Sequence, residues 1–308
     1  MGAGHDHHHH HHGGHIGGSP RGKAFALAVG LNLVFVIAEG AAGLISGSMA
    51  LLADAGHNLL DVLSLVLAWA ASVLSARPPS ERYTYGFKSS SILAAIANAA
   101  LLWAATGAIV FETIRRFAEP QPVEGGTMIA VAAVGIAVNA LSAMLFAKGR
   151  EGDLNVRAAF LHLMADAAVS AGVVVAGVLV LMTGEMLIDP ITSLLISALI
   201  AWASWGLMRD SLRMGMLSVP QNIDIREVHA FLASQPGVAA VHDLHVWPMS
   251  TTETALTAHL VMPAGVSDDV FLHELSHQLE HRFGIGHPTI QVERSGGPEC
   301  ALESAGVV

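Results

Sequence analysis

Charge is scarce in this sequence. Of 308 residues only 13% are Asp, Glu, Lys or Arg, about half the share found in ordinary soluble domains, while 53% are apolar. That balance argues against a soluble globular protein and for a membrane class. Cysteine is nearly missing as well: Cys300 stands alone, so an internal disulfide framework is excluded. Aromatics are sparse at 6%, whereas Ala, Val, Leu and Gly abound, which suits helices whose backbones approach closely in lipid. The first 22 residues are Gly, His and polar, without the apolar centre of a secretory signal peptide. His7 to His12 form an unbroken run of six, which reads either as a purification tag or as a natural metal-collecting tail.

What is present is a series of six apolar stretches. They run over Ala24 to Ile45, Met49 to Leu74, Ser90 to Phe111, Met128 to Phe146, Ala158 to Met182 and Leu187 to Leu207. Each is near the roughly 20 residues a helix needs to cross a bilayer. Ten of the fifteen Lys and Arg lie before the first stretch, between two and three, between four and five, or just after six; Arg115 and Arg116 lie on the other side. The positive-inside bias therefore predicts both termini in the cytoplasm, with a six-helix transmembrane domain over 23–213 behind a tail of 1–22.

After Pro220 the apolar runs shorten and the period changes. Ile223 to Ser234 and Ser267 to Phe283 predict helices; Val238 to Trp247, Thr254 to Met262 and Thr289 to Glu293 predict strands. The expectation is a small α+β domain of order αββαβ over 214–295, then a tail of 296–308. From Asp210 onward twelve Asp and Glu face four Lys and Arg, so this part should attract cations and repel nucleic acid.

The second stretch contains His57-Asn-Leu-Leu-Asp61 and the fifth His162-Leu-Met-Ala-Asp166. Residues four apart on an α-helix share a face, one turn apart. Two such helices offer two imidazoles and two carboxylates, a donor set suited to tetrahedral zinc. Ionised Asp in hydrocarbon costs roughly 2.5 to 3.5 kcal/mol at a helix centre, and two carboxylates around a divalent cation sum to zero charge. Metal binding requires deprotonated ligands, and imidazole titrates at about 6.5, so metal and protons should compete for the site and exchange follows. Asp54, on the same face as His57, and Asn58 read as supporting or pathway groups. Glu39, Asn32, Asn98, Asn139 and Asp189 could line a pathway, although interhelical hydrogen bonds or a helix end explain them better.

Several motifs in one order make the chain resemble the cation diffusion facilitator family, in its zinc, cobalt and cadmium efflux branch. They are Gly-Ser-Met-Ala-Leu-Leu-Ala-Asp54-Ala-Gly-His57-Asn-Leu-Leu-Asp61, His162-Leu-Met-Ala-Asp166, Val241-His242-Asp243-Leu244-His245-Val246-Trp247 and His287-Pro-Thr-Ile-Gln-Val-Glu293. The resemblance implies six transmembrane helices plus a cytoplasmic ferredoxin-like domain, a homodimer, and a bacterial inner-membrane location. It implies His57, Asp61, His162 and Asp166 as transport ligands for Zn²⁺, with cadmium or cobalt as alternatives. It also implies a cytoplasmic-domain metal site at His242, His259, His287 and Glu293, with His245 expected on the opposite face of its strand from His242. The loop Ser80-Glu-Arg-Tyr-Thr-Tyr-Gly-Phe-Lys88 lacks the His residues that some relatives use for a peripheral site, and Lys148 to Arg157 lacks a long His-rich insert.

Two other readings compete. His273-Glu-Leu-Ser-His277 matches the HExxH pattern of zinc peptidases, in which two His hold the metal and Glu acts as base, and His281 follows one turn later. This copy falls on a polar amphipathic helix in a domain too small for a substrate cleft, so no enzyme is expected. A membrane-anchored zinc sensor is the second alternative, but an anchor does not require HxxxD in two spans.

Overall fold

The computed structural model describes residues 20–147, 154–263 and 268–294. The histidine run, residues 148–153 of the loop after the fourth stretch, and the tail bearing Cys300 lie outside the described residues. Six long helices come first: α1 Pro20–Ser46, α2 Met49–Ser75, α3 Ser90–Ala118, α4 Gly125–Ala147, α5 Leu154–Thr183 and α6 Ile188–Gly215. Among the described residues, five are long and apolar enough to cross a membrane, α2, α3 and α6 throughout and α4 and α5 over Gly125–Met144 and Phe160–Thr183; the apolar portion of α1 found there, Gly30–Ser46, is shorter. Several helices outrun their apolar stretches. Thus α3 continues past Phe111 to Ala118, with Arg115 and Arg116 in its last turn, where cations meet the negative end of the helix dipole.

The distribution of side chains is inverted relative to a protein in water. Leu44, Ile45, Met182 and Trp202 are each more than 70% exposed, while Glu39, Ser48, Asp54, Thr113, Asn139, Ser142, Ser170 and Ser193 are buried. Apolar groups outside and hydrogen-bonding groups between helices are what a hydrocarbon solvent demands.

Two compact units divide the chain: Met1–Val62 with Ala105–Ile200, and Leu63–Ala104 with Ala201–Val308. In the first, α4 packs along α5 and α1 packs on α4. Glycine permits this approach. A Cβ at Gly177 would lie 2.8 Å from Ile129 Cγ1 and 3.0 Å from the Gly125 carbonyl oxygen, and a Cβ at Gly125 would lie 2.8 Å from the Gly177 oxygen. Gly177→Leu is therefore expected to destabilise the protein by about 2–3 kcal/mol or more through overpacking, read as a lower melting temperature in detergent; a wild-type melt would refute the close contact. Gly135 serves similarly, with the Phe35 ring and the Ser170 hydroxyl 2.7 and 3.1 Å from where its Cβ would sit.

The start of α2 is held by Asp189 in the first turn of α6. Its carboxylate accepts from the Ser48 hydroxyl (2.5 Å), the Met49 N–H (2.7 Å) and the Ala50 N–H (3.2 Å), and it is fully buried. A helix N-terminus leaves its first N–H groups without intrahelical partners, and an anion there satisfies both those donors and the dipole. Of the readings the sequence allows for Asp189, interhelical hydrogen bonding at a helix end is the one observed.

In the second unit the Ser64 hydroxyl donates to the Asn98 side-chain oxygen, joining α2 to α3, and the Ser90 hydroxyl donates to the Ala71 carbonyl (3.1 Å). Beyond α6 come α7 Ile225–Ala233, β1 Ala240–Pro248, β2 Thr254–Val261, α8 Asp269–Phe283 and β3 His287–Glu293. This is the expected αββαβ order, with each boundary within about two residues of expectation. Asp224 and Asp268 cap α7 and α8 by accepting from Arg226 N–H and Phe271 N–H, both at 2.8 Å, and Gly284 ends α8 in the left-handed conformation at φ 71°. The sheet runs β1-β2-β3, antiparallel between β1 and β2 and parallel between β2 and β3. Leu256, Ala258 and Leu260 alternate along β2 and bury one sheet face against Val228, Phe231 and Leu232 of α7 and Leu275 and Leu279 of α8. The other face carries Thr257 and His259, as the two-residue side-chain period of a strand requires.

Candidate metal centres

The two HxxxD pairs meet. Asp61 Oδ2 lies 3.6 Å from His57 Nε2 on its own helix and 3.2 Å from His162 Nε2 on α5, and His162 Nε2 lies 3.6 Å from Asp166 Oδ2. The two imidazole rings stand edge to face, centroids 6.3 Å apart. Local helix geometry explains each pair; side-chain contacts between α2 and α5 unite them. Asp166 is almost fully buried while His162 is half exposed, so the cluster has a closed side and an open one. His57 Nδ1 and Asp61 Oδ2 are buried and make no hydrogen bond within the chain. Buried polar atoms without partners are uncommon and call for an explanation, and a coordinated cation supplies one.

Around this cluster Asp54 is 1% exposed. It accepts from Asn58 Nδ2 (3.2 Å) and from the Ser170 hydroxyl (3.0 Å). Glu39 of α1 is fully buried, and neither of its carboxylate oxygens makes a hydrogen bond. The sequence motifs do not include Ser170. It sits one turn beyond Asp166 on the same helix face, and that spacing was the available signal.

A second cluster occupies the open face of the sheet. Across β1 and β2 His242 stands opposite His259, and Val261, two residues along β2, stands opposite Glu293. His242 Nε2 is 3.3 Å from Glu293 Oε2 and His259 Nδ1 is 3.0 Å from Glu293 Oε1. One donor atom from each of the three lies within 4.8 Å of the others. His242 Nε2 is buried without a hydrogen bond. His287 is not brought into this trio: it stands opposite Ala255, four residues along β2 from His259, with its ring edge-on to Tyr85 at 5.5 Å.

One expectation is overturned. His245 is not on the opposite face from His242. The ladder shifts register between them, so that His242 opposes His259 and His245 opposes Thr257, both on the open face. The cause is a bulge at Asp243, whose φ is +48°, and an extra residue reverses the alternation beyond it. Asp243 thereby links the two halves: its carboxylate lies 2.8 Å from His245 Nε2 and 3.4 Å from His259 Nε2.

Comparison with known proteins places both parts of the chain. Residues 25–214 match the cation efflux transmembrane domain, and residues 220–295 match the cation efflux protein cytoplasmic domain. The chain belongs to the cation efflux family. Within that family, also called the cation diffusion facilitators, it is 38% identical over 292 residues to the zinc transporter ZitB of Escherichia coli, covering 94% of this chain and 93% of ZitB. It is 35% identical over 294 residues to the metal cation efflux system protein CzcD of Cupriavidus metallidurans, covering 95% and 90%. With the cadmium, cobalt and zinc/H(+)-K(+) antiporter of Bacillus subtilis it shares 33% over 264 residues, covering 84% and 85%. Among solved structures, the metal-bound C-terminal domain of CzcD is 38% identical over 23% of this chain and 99% of that domain, with a TM-score of 0.22. As a multi-pass membrane protein with apolar helices and a small sheet domain, this family member carries both clusters within its two matched regions.

Proposed function

We propose that this protein is a homodimeric exporter that moves zinc, with cadmium and cobalt as further cargo, out of the cytoplasm in exchange for protons. His57, Asp61, His162 and Asp166 form the transport site. The observation that carries this reading is the position of Asp61 Oδ2, buried, without a hydrogen bond and within 3.6 Å of both imidazoles. Two imidazoles and two carboxylates suit zinc and its neighbours better than calcium or magnesium, which prefer all-oxygen shells. The two carboxylates neutralise a divalent ion inside a low-dielectric region; when the ion leaves, protons replace it on the same donors. Antiport is then competition at one site, alternately open to each side. Asp54, which accepts from both Asn58 and Ser170, holds the α2 face that presents His57 and Asp61.

The fine architecture belongs to the same proposal: six spans over 23–213, a cytoplasmic tail of 1–22, a ferredoxin-like cytoplasmic domain of 214–295, a tail of 296–308, and both termini inside a bacterial inner membrane. The Lys and Arg distribution supports that orientation. In the cytoplasmic domain His242, His259 and Glu293 hold a regulatory zinc, with His287 a candidate the same domain carries outside that trio. Protein of this kind works on metal ions, protons and lipid, not on nucleic acid, and it is no enzyme.

Proteoliposomes loaded with a pH-sensitive dye test the reading. Adding zinc, cadmium or cobalt to one side is expected to move protons in the opposite direction, and Asp166→Ala is expected to abolish the signal for all three. Metal uptake with no accompanying proton movement would overturn the antiport.

A further inference from the structure

The HExxH stretch remains unused by the transport reading. It lies on α8, whose apolar side buries Leu275 and Leu279 in the sheet-domain core. His273, His277 and His281 follow one another at four-residue steps on the other side, all exposed. The rings of His277 and His281 are side by side, centroids 4.2 Å apart. The one cation on this helix, Arg282, is turned away onto the rings of Phe231 and Phe283, at 5.3 and 5.2 Å. Glu280 flanks the pair, three residues from His277 and next to His281. The local charge is thus acidic, and the imidazoles face solvent without a competing cation.

The catalytic half of the pattern is not built. Glu274, which a peptidase would need as base beside its metal, instead accepts from Gln278 Nε2 at 2.7 Å on the exposed surface. The metal-holding half is intact. Two imidazoles one helical turn apart can close on one ion, because residues at i and i+4 are neighbours on a helix surface. Once the first nitrogen is bound, the second binds intramolecularly, which raises affinity by roughly 100-fold over a lone imidazole.

We propose that His277 and His281 form an auxiliary surface site on α8 for a divalent transition-metal ion, with water completing the shell and Glu280 contributing charge. Imidazole donors select zinc, nickel, copper or cobalt over magnesium and calcium. The site is separate from the trio at His242, His259 and Glu293 on the sheet, and it does not depend on the transport reading.

Histidine footprinting of the full chain tests it residue by residue. The purified protein is treated with diethyl pyrocarbonate at a series of free zinc concentrations held by a metal buffer, and the modification of each histidine is read by mass spectrometry. Protection of His277 and His281 is expected to rise together with one midpoint. In His281→Gln the midpoint for His277 should move at least about tenfold higher, consistent with losing a chelating partner, and His277→Gln should do the same to His281. His259→Gln should leave both midpoints in place. Unchanged reactivity of His277 across the zinc series, or a midpoint for His277 that His281→Gln does not move, would overturn the proposal. Both side chains are exposed, so these variants are not expected to disturb folding.

Discussion

Asp61→Asn is expected to cut metal-driven proton exchange by about 100-fold or more while leaving the melting temperature near wild type. Asparagine keeps the shape of aspartate, so the packing of α2 and α5 around position 61 is preserved. What is lost is one negative charge at the atom shared between His57 and His162. A bound divalent ion would then retain net positive charge in a poorly solvated site. A cost of roughly 2.5 to 3.5 kcal/mol for an uncompensated charge at membrane depth corresponds to a factor of about 100 in affinity. Proteoliposome flux reports the loss, and the melting curve separates it from misfolding. Flux above a tenth of wild type in a well-folded Asp61→Asn protein would mean that this carboxylate is not a ligand.

The second large effect concerns stability. Asp189→Ala removes a carboxylate that accepts three hydrogen bonds at the start of α2, all within a buried environment. Charge-assisted bonds of this kind contribute about 1.5–3 kcal/mol each before non-additivity, and their loss leaves the Met49 and Ala50 N–H groups buried without acceptors. A loss of about 3–5 kcal/mol is expected, as for other broken buried charge networks, lowering the melting temperature by about 10 °C. Ser48→Ala should cost only about 1 kcal/mol, the usual loss of a single cap side chain, because Asp189 still reaches both backbone N–H groups. Equal melting temperatures for Asp189→Ala and wild type would show that water or another group caps α2. Because α2 also carries Asp54, His57 and Asp61, the same substitution is expected to lower transport.

These two residues also mark how much of the site could be read in advance. Asp61 is legible because its partner His57 is four residues away, a separation that helix geometry converts directly into proximity. The second pair at His162 and Asp166 is legible for the same reason, and the resemblance of both stretches to one family placed them together. Asp189 was ambiguous because its partners lie some 140 residues away, and no local period reports a contact of that range. Ser170 is not legible in sequence, since a serine in an apolar helix has many uses and only the position of Asp54 gives it one. Strict alternation through Asp243 predicts the wrong face for His245. A bulge at a non-glycine residue leaves little trace in sequence, although a positive φ is tolerated more readily by aspartate than by most side chains.

By itself, then, the order of residues determined the class of solvent around each segment, the helical spacing of the two HxxxD pairs, and the order of elements in the sheet domain. All three follow from short-range rules: hydropathy over about 20 residues, the 3.6-residue turn, and the two-residue strand. The tertiary structure alone decided that one oxygen of Asp61 serves both imidazoles, that Asp189 anchors the start of α2, and that Asp243 turns His245 toward His259. Each of these depends on which surfaces meet across long stretches of chain, and that is settled by packing, where small residues such as Gly177 and Gly135 allow helices to approach and buried polar groups must find partners.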